Sequence, residues 1–350
     1  MSADTLALPR GRGRSPRSLP RRRVWAGAAV TLALGGVVVA SLAVGTSEIP
    51  LGTVWHALTA YDPADPEHIA IVEKRLPRTV VGIIVGAALG LSGTLAQGVT
   101  RNPLADPGIL GVNQGAALAV VAAITVFGAT GPSSYLWFAI VGAAIAAAIV
   151  WVLSSRGRDG ATPGKLALAG AAVSAALFSL VSAVLIVSRE ALDAMRFWQV
   201  GALAGRGLDV LVPVLPVLIV AAAVALASGR TLNLFALGDE TAAALGLRVN
   251  RARLLLAIAL VVLAAGATAV AGPIAFVGLI VPHAVRSIAG LDYRWILLFA
   301  APTAAVLLVA ADVVARIVAR PGELQVGIVV AAVGAPFFIA LVRRGRMAGL

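Results

Sequence analysis

Eight stretches of this chain carry no charged residue: 24–47, 79–100, 107–155, 166–188, 210–229, 254–285, 295–311 and 324–342. A helix rising 1.5 Å per residue needs about 20 apolar residues to cross a hydrocarbon core ~30 Å thick. Runs of this length therefore read as membrane-spanning helices. Composition agrees, since 60% of the residues are hydrophobic and 13% are charged, against about 25% charged in soluble domains. There is no cysteine, which removes disulfides and thiolate chemistry, and the three histidines (His56, His68, His283) are too scattered for a metal site. The net charge of +12 lies between the apolar runs, where it sets topology, and forms no nucleic-acid-binding stripe.

Span number follows from length and charge together. The run 107–155 holds two spans, with Gly131-Pro132 as the turn, and 254–285 breaks at Gly272-Pro273 although its 32 residues are short for two full crossings. Hydropathy alone thus permits nine or ten. Seven arginines lie between Arg10 and Arg23, and Arg343, Arg344 and Arg346 close the chain. Under the positive-inside rule both termini are cytoplasmic, which makes the number even. Ten spans place 20 of the 28 Lys and Arg residues on the cytoplasmic side. The expected fold is therefore all-α, a polytopic bundle of about ten transmembrane helices over residues 24–346 in the inner (plasma) membrane. Residues 1–23, rich in Arg, Pro, Gly and Ser, read as a disordered basic cytoplasmic tail touching anionic lipid headgroups. The first apolar run exceeds the h-region of a signal peptide and reads as an uncleaved anchor.

Several local patterns bear on chemistry. Gly82, Gly86, Gly90, Thr94 and Gly98 recur every four residues, which makes one helix face small enough for close packing against another helix. Arg101-Asn102-Pro103-Leu104-Ala105-Asp106-Pro107-Gly108 breaks the helix at a membrane boundary. Asp312 is a carboxylate at the edge of an apolar run, and Arg316 four residues on is placed to pair with it as a structural ion pair. His283, beside Pro282, reads as structural. Gly164-Lys165 lacks both the upstream glycine and the following Ser/Thr of a phosphate loop, so no ATPase site resides here.

The motifs form an ordered set. Arg75-Leu76-Pro77-Arg78, the 101–108 loop, Phe197-Trp198-Gln199, Leu237-Gly238-Asp239, Gly272 to Arg286, Asp312 to Arg316 and Gly334-Ala335-Pro336 follow one another along the chain. In this order and spacing they resemble the FecCD/BtuC-like family, the permease subunits of ABC importers for ferric siderophores, haem and vitamin B12. The resemblance runs from about residue 24 to 346. It implies the BtuC-like (type II ABC importer) permease fold. It also implies a second permease subunit, two cytoplasmic ABC ATPase subunits that consume ATP, and an extracytoplasmic siderophore-binding protein; no cofactor is implied for this chain. Carried over position by position, the loop 232–253 becomes the coupling segment, with Leu237, Gly238, Asp239, Ala243, Leu245 and Gly246 against the ATPase. Arg75, Arg78 and Arg316 become docking residues for the binding protein. Asn102 and Leu104, with Thr162, Pro163 and Gly164, become the cytoplasmic gate. One departure is Gln325, where the family usually has proline after Glu-Leu.

Two other classes compete with an importer subunit. An ion-coupled secondary transporter would place acidic residues at midplane and show internal repeats; Asp312 alone could serve, and no repeat of the motifs joins the two halves. A membrane scaffold would leave uptake unchanged on deletion. Within the importer reading the expected cargo is a ferric siderophore, with haem or cobalamin as the alternative.

Overall fold

The computed structural model describes residues 18–156 and 162–343, and these fold into a helical bundle. Helix α1 (Ser18–Ala43) is followed by two short helices, α2 (Leu51–Thr59) and α3 (Pro66–Ile69), and by a wide π-type turn, Ala70–Arg75. That turn runs into α4 (Leu76–Thr100). Next come α5 (Val112–Phe127), α6 (Pro132–Ser155), α7 (Pro163–Val187), α8 (Arg189–Trp198) and α9 (Leu208–Leu211). The second half holds α10 (Leu215–Ala227), α11 (Gly229–Ala236), α12 (Asp239–Ala244), α13 (Val249–Ala271), α14 (Val277–Ala289), α15 (Tyr293–Val318) and α16 (Val326–Arg343).

Among the described residues six helices are long and apolar enough to cross a membrane alone. The pair α10 and α11, bent by 49°, adds one broken span, and α5, α14 and α16 are shorter apolar helices. Together these account for the ten expected. Proline and side-chain caps set several starts. Thr162 caps α7 ahead of Pro163, Ser188 caps α8, and Asp292 caps α15 by accepting from the Arg294 N–H. Three boundaries differ from the sequence reading. The helix begins at Ser18 and so takes in Arg21 to Arg23, while residues 1–17 of the expected tail lie outside the described residues. The second is at residue 232, which falls inside α11 and not at the start of a loop. The third is α14, a half-length helix of 13 residues, because an extended segment after Gly272 consumes part of the chain before helix can restart.

The core is α4 against α13 and α15. Gly86 faces the Ala304 carbonyl and the Ala305 Cα, where an added Cβ would sit 2.8 Å from each. Gly90 faces Ala300 and Ala304, with an added Cβ 2.6 Å from the Ala300 oxygen. The four-residue stripe is thus a packing face, as its spacing predicts. Without a hydrophobic drive between helices in lipid, backbone-to-backbone approach of this kind holds the bundle. On the adjacent face of α4, Gly93 meets Gly278 at the start of α14 so closely that position 93 has no room for a side chain.

Candidate functional site

Charge collects at the two ends of the bundle. One end, where α1 begins, is marked by Arg22 and Arg23, which donate to the carbonyls of Ser287 and Ala289 at the close of α14. At the opposite end α1 finishes among Arg75, Arg78, Arg316 and Asp312.

At that opposite end the arginines expected to dock a partner have interior work. The Arg75 Nη1 donates to the carbonyls of Leu42 and Ala43 at 2.8 Å, and its Nη2 donates to the Ser47 carbonyl at 2.8 Å. Leu42 and Ala43 are the last two residues of α1 and Ser47 lies in the turn beyond it, so Arg75 helps to cap α1 from another helix and ties down the segment that follows. Arg316 is 2% exposed and donates to the Ser41 carbonyl, the Ser41 Oγ and the Asp312 Oδ2. Both arginines are buried, and their donors are spent on the fold. Arg78 is only partly buried, bound to Asp312 and through Nη1 to Glu323 Oε2 at 2.7 Å. Its neighbours surround a depression of about 500 Å³ that holds Lys74, Arg206, Asp209 and Glu73 as well. Cations outnumber carboxylates around it.

At the tail end the chain turns sharply several times. Gly238 precedes α12 with φ +98°, and Gly246 follows it with φ +88°, conformations that side chains with a Cβ rarely adopt. Leu237, just before Gly238, and Leu245, just before Gly246, are exposed at 59% and 61%, and Ala243 is exposed between them. Asp239 faces inward to Arg253, whose Nη2 lies 2.8 Å from Oδ2, and Arg101 Nη2 lies 3.5 Å from Oδ1. Arg101 itself closes α4 in the left-handed region at φ +51°. The helix presented by Gly238 is therefore tied to the loop that leaves α4.

That loop turns back into the bundle. Asn102 Oδ1 accepts from the Leu104 N–H at 2.9 Å, Asp106 Oδ1 accepts from the Gly108 N–H at 2.8 Å, and a short 3₁₀ turn, Pro107–Leu110, follows. The Ile109 carbonyl presses against Gly170 of α7. Asn113, at the start of α5, meets Thr268 near the far end of α13, with Oδ1 3.2 Å from Oγ1. Irregular backbone enclosed by helices in this way is tolerated where it is buried in protein or lines a cavity. Thr162, Pro163 and Gly164 open α7, with the Thr162 Oγ1 capping the Lys165 N–H; residues 157–161 of that loop lie outside the described residues.

The model of the FecCD transport family matches residues 32–344 of this chain. The chain belongs to the FecCD transport family. Its FecCD relatives include the ferric enterobactin transport system permease protein FepD of Escherichia coli, 42% identical over 88% of this chain and 92% of that one. The cobalamin import system permease protein BtuC of Halobacterium salinarum is 43% identical over 87% and 84% of the two chains. A solved inward-facing chain of a metal-chelate type ABC transporter superposes with a TM-score of 0.79 at 29% identity, covering 93% of this chain and 99% of that one. As in those FecCD relatives, this is an integral membrane permease, and the bundle has their fold.

Two contacts within this FecCD chain escape sequence reasoning. Arg286 Nη1 donates to Gln97 Oε1 at 2.7 Å, and Asn233 Nδ2 donates to Asp292 Oδ1 at 2.7 Å. Both join helices far apart in sequence, and no spacing rule couples such partners. The Asp312–Arg316 pair, four residues apart, was accessible from spacing and forms as expected.

Proposed function

We propose that this chain is the permease subunit of an ABC importer for a ferric siderophore. It would line the translocation pathway together with a second permease subunit in the inner (plasma) membrane, with both termini cytoplasmic. The observation that carries the reading is the tie between Asp239 and Arg101. A surface helix with exposed Leu237 and Leu245 is linked through one carboxylate to a loop that dips among the helices. Motion imposed on α12 would pass to that loop. Exposed leucines outside the apolar spans call for a protein partner, and a separate ATPase subunit supplies one. Leu237, Gly238, Asp239, Ala243, Leu245 and Gly246 would form its contact, and ATP would be consumed within that partner.

In this reading Asn102 and Leu104, with Thr162, Pro163 and Gly164, narrow the cytoplasmic end of the pathway. The extracytoplasmic binding protein docks around the depression at the opposite end, with Lys74 and Arg78 offering positive charge to acidic residues on its lobes. Arg75 and Arg316 contribute by holding that surface in shape. The siderophore cargo rests on the ferric enterobactin relative, and the cobalamin relative supports the alternative.

The test is growth of a deletion strain under iron limitation on defined ferric siderophores. Loss of growth on one of them, restored by the wild-type gene, supports the cargo. Normal growth on all of them overturns it. Vesicles containing both permeases decide the class: uptake driven by an ion gradient without any ATPase subunit would sink the importer reading.

A further inference from the structure

At the tail end of the bundle, α1 and α15 bound a groove of about 500 Å³ lined by Val24, Gly27, Val30, Leu298, Phe299 and Pro302. Its walls are almost wholly apolar. Arg23 stands at one end, its guanidinium 4.8 Å from the centre of the Trp295 ring. There Nε and Nη2 both donate to the Ala289 carbonyl, at 3.2 and 3.0 Å, so the side chain is fixed in place. Arg22 is held beside it through the Ser287 carbonyl, and Arg21 is exposed one residue earlier. Asp292 accepts from Asn233 and pairs with Arg294 at 3.9 Å, and this one carboxylate is outnumbered by Arg21, Arg22, Arg23 and Arg294. Positive charge therefore remains for an outside anion.

Position supplies the second half of the argument. From Arg23 to Thr31 the α1 wall of the groove runs about 12 Å at 1.5 Å per residue, long enough for a substantial part of an acyl chain. Pro302 has no N–H for the Leu298 carbonyl, so the α15 wall lacks one helical hydrogen bond at this level. An inorganic anion would satisfy the arginines and leave the groove empty. A neighbouring helix would fill the groove and leave the arginines without a counter-charge. One molecule class meets both demands. We propose that the groove binds one anionic phospholipid, with its headgroup on Arg22 and Arg23 and one acyl chain between α1 and α15. This site is independent of the cargo and of the importer partners.

Native mass spectrometry of the full-length protein, released from micelles doped with phosphatidylglycerol or phosphatidylcholine, reads the retained lipid directly. Selective retention of phosphatidylglycerol is expected, and Arg23→Gln should lower it about fivefold, the worth of one arginine near an anionic headgroup. Arg251→Gln, a charge loss elsewhere at the same end, should leave it unchanged. Gly27→Leu should reduce retention of both lipids by occupying the groove without touching the headgroup site. Equal effects of Arg23→Gln and Arg251→Gln, or equal retention of the two lipids, would overturn the site. So would full displacement by inorganic phosphate, which would assign the arginines to a free anion. A photo-reactive residue at Leu298 in native membranes decides the matter even if a substitution impairs folding. A phospholipid adduct supports the proposal, whereas an adduct to a second copy, to a partner permease or to residues 1–17 refutes it.

Discussion

Arg78 and Asp312 meet across the α4–α15 interface as a forked pair, with Nη2 2.8 Å from Oδ1 and Nε 3.0 Å from Oδ2. Because Asp312 also binds Arg316 Nη2 through Oδ2 at 2.7 Å, one carboxylate serves two guanidinium groups. Both of its oxygens are committed, and its side chain is 2% exposed.

Removing that carboxylate leaves Arg316 buried and uncompensated. Asp312→Ala should destabilise the protein by about 3–5 kcal/mol, the cost of breaking a buried ion pair from one side. Thermal unfolding in detergent reads this. The double substitution Asp312→Leu with Arg316→Met should recover much of the loss, since apolar replacement of a buried pair is often neutral. A double variant no better than the single one would contradict a chiefly electrostatic account.

The α4 stripe makes a steric prediction. At Gly90 the first added carbon would meet both the Ala300 oxygen and the Ala304 Cβ at 2.6 Å, and neither backbone can yield. Gly90→Leu should cost at least the ~1–3 kcal/mol typical of overpacking and reduce the folded fraction recovered from membranes. Gly35→Leu on α1, where an added Cβ meets nothing within 4 Å, should be recovered like wild type.

Why one of these features was legible and another was not comes down to range. The Gly82 to Gly98 stripe and the Asp312–Arg316 pair are local patterns, fixed by helical periodicity. Arg75 reaching back to cap α1 is not, since 33 residues separate it from Leu42. A basic residue flanking an apolar run looks the same whether it faces water or a neighbouring helix end, so the internal bonds of Arg75 and Arg316 could not be read from sequence. Gly272-Pro273 marked the break before α14, but only the packing of Gly278 on Gly93 explains why the helix restarts inside the bundle.

Asp292 gives the tail end a pH dependence. Burial raises its pKa, but bonds from Asn233 and from the Arg294 N–H, with the charges of Arg294 and Arg23, outweigh burial and hold it below the usual carboxylate value. A carboxylate depressed in the fold stabilises above its unfolded pKa of about 3.9, and that contribution is lost as pH falls through the lower folded value. Melting temperature should therefore drop below about pH 4 more steeply in wild type than in Asp292→Asn. Parallel pH profiles would show that the clasp between α11 and α15 carries no charge-dependent stability.

Gly238 tests the coupling role. Its φ of +98° with ψ of +155° lies in a region open essentially to glycine alone, where any other residue costs about 1–3 kcal/mol. Gly238→Ala should tilt α12 and weaken the Asp239–Arg101 tie. In reconstituted complexes ATP hydrolysis should persist while uptake per ATP falls severalfold. Asp239→Asn should do the same with α12 intact, because it removes only the charge facing Arg101 and Arg253. Unchanged uptake in both variants would count against coupling through this helix.

The opposite end predicts a division of labour among its cations. Lys74 is exposed, and Arg78 keeps 12% of its side chain accessible, so their charge reaches solvent. Lys74→Glu should weaken the binding protein's association chiefly through on-rate and more at low ionic strength, as expected for rim charges. ATPase assembly should be untouched. Arg75→Glu should instead lower thermal stability, because a carboxylate would face the carbonyls of Leu42, Ala43 and Ser47 that now accept hydrogen bonds. Surface plasmon resonance and unfolding measured on the same preparations separate the two effects. If Lys74→Glu left association unchanged while Arg75→Glu abolished it at full stability, the buried arginine would be the docking residue and the assignment would reverse.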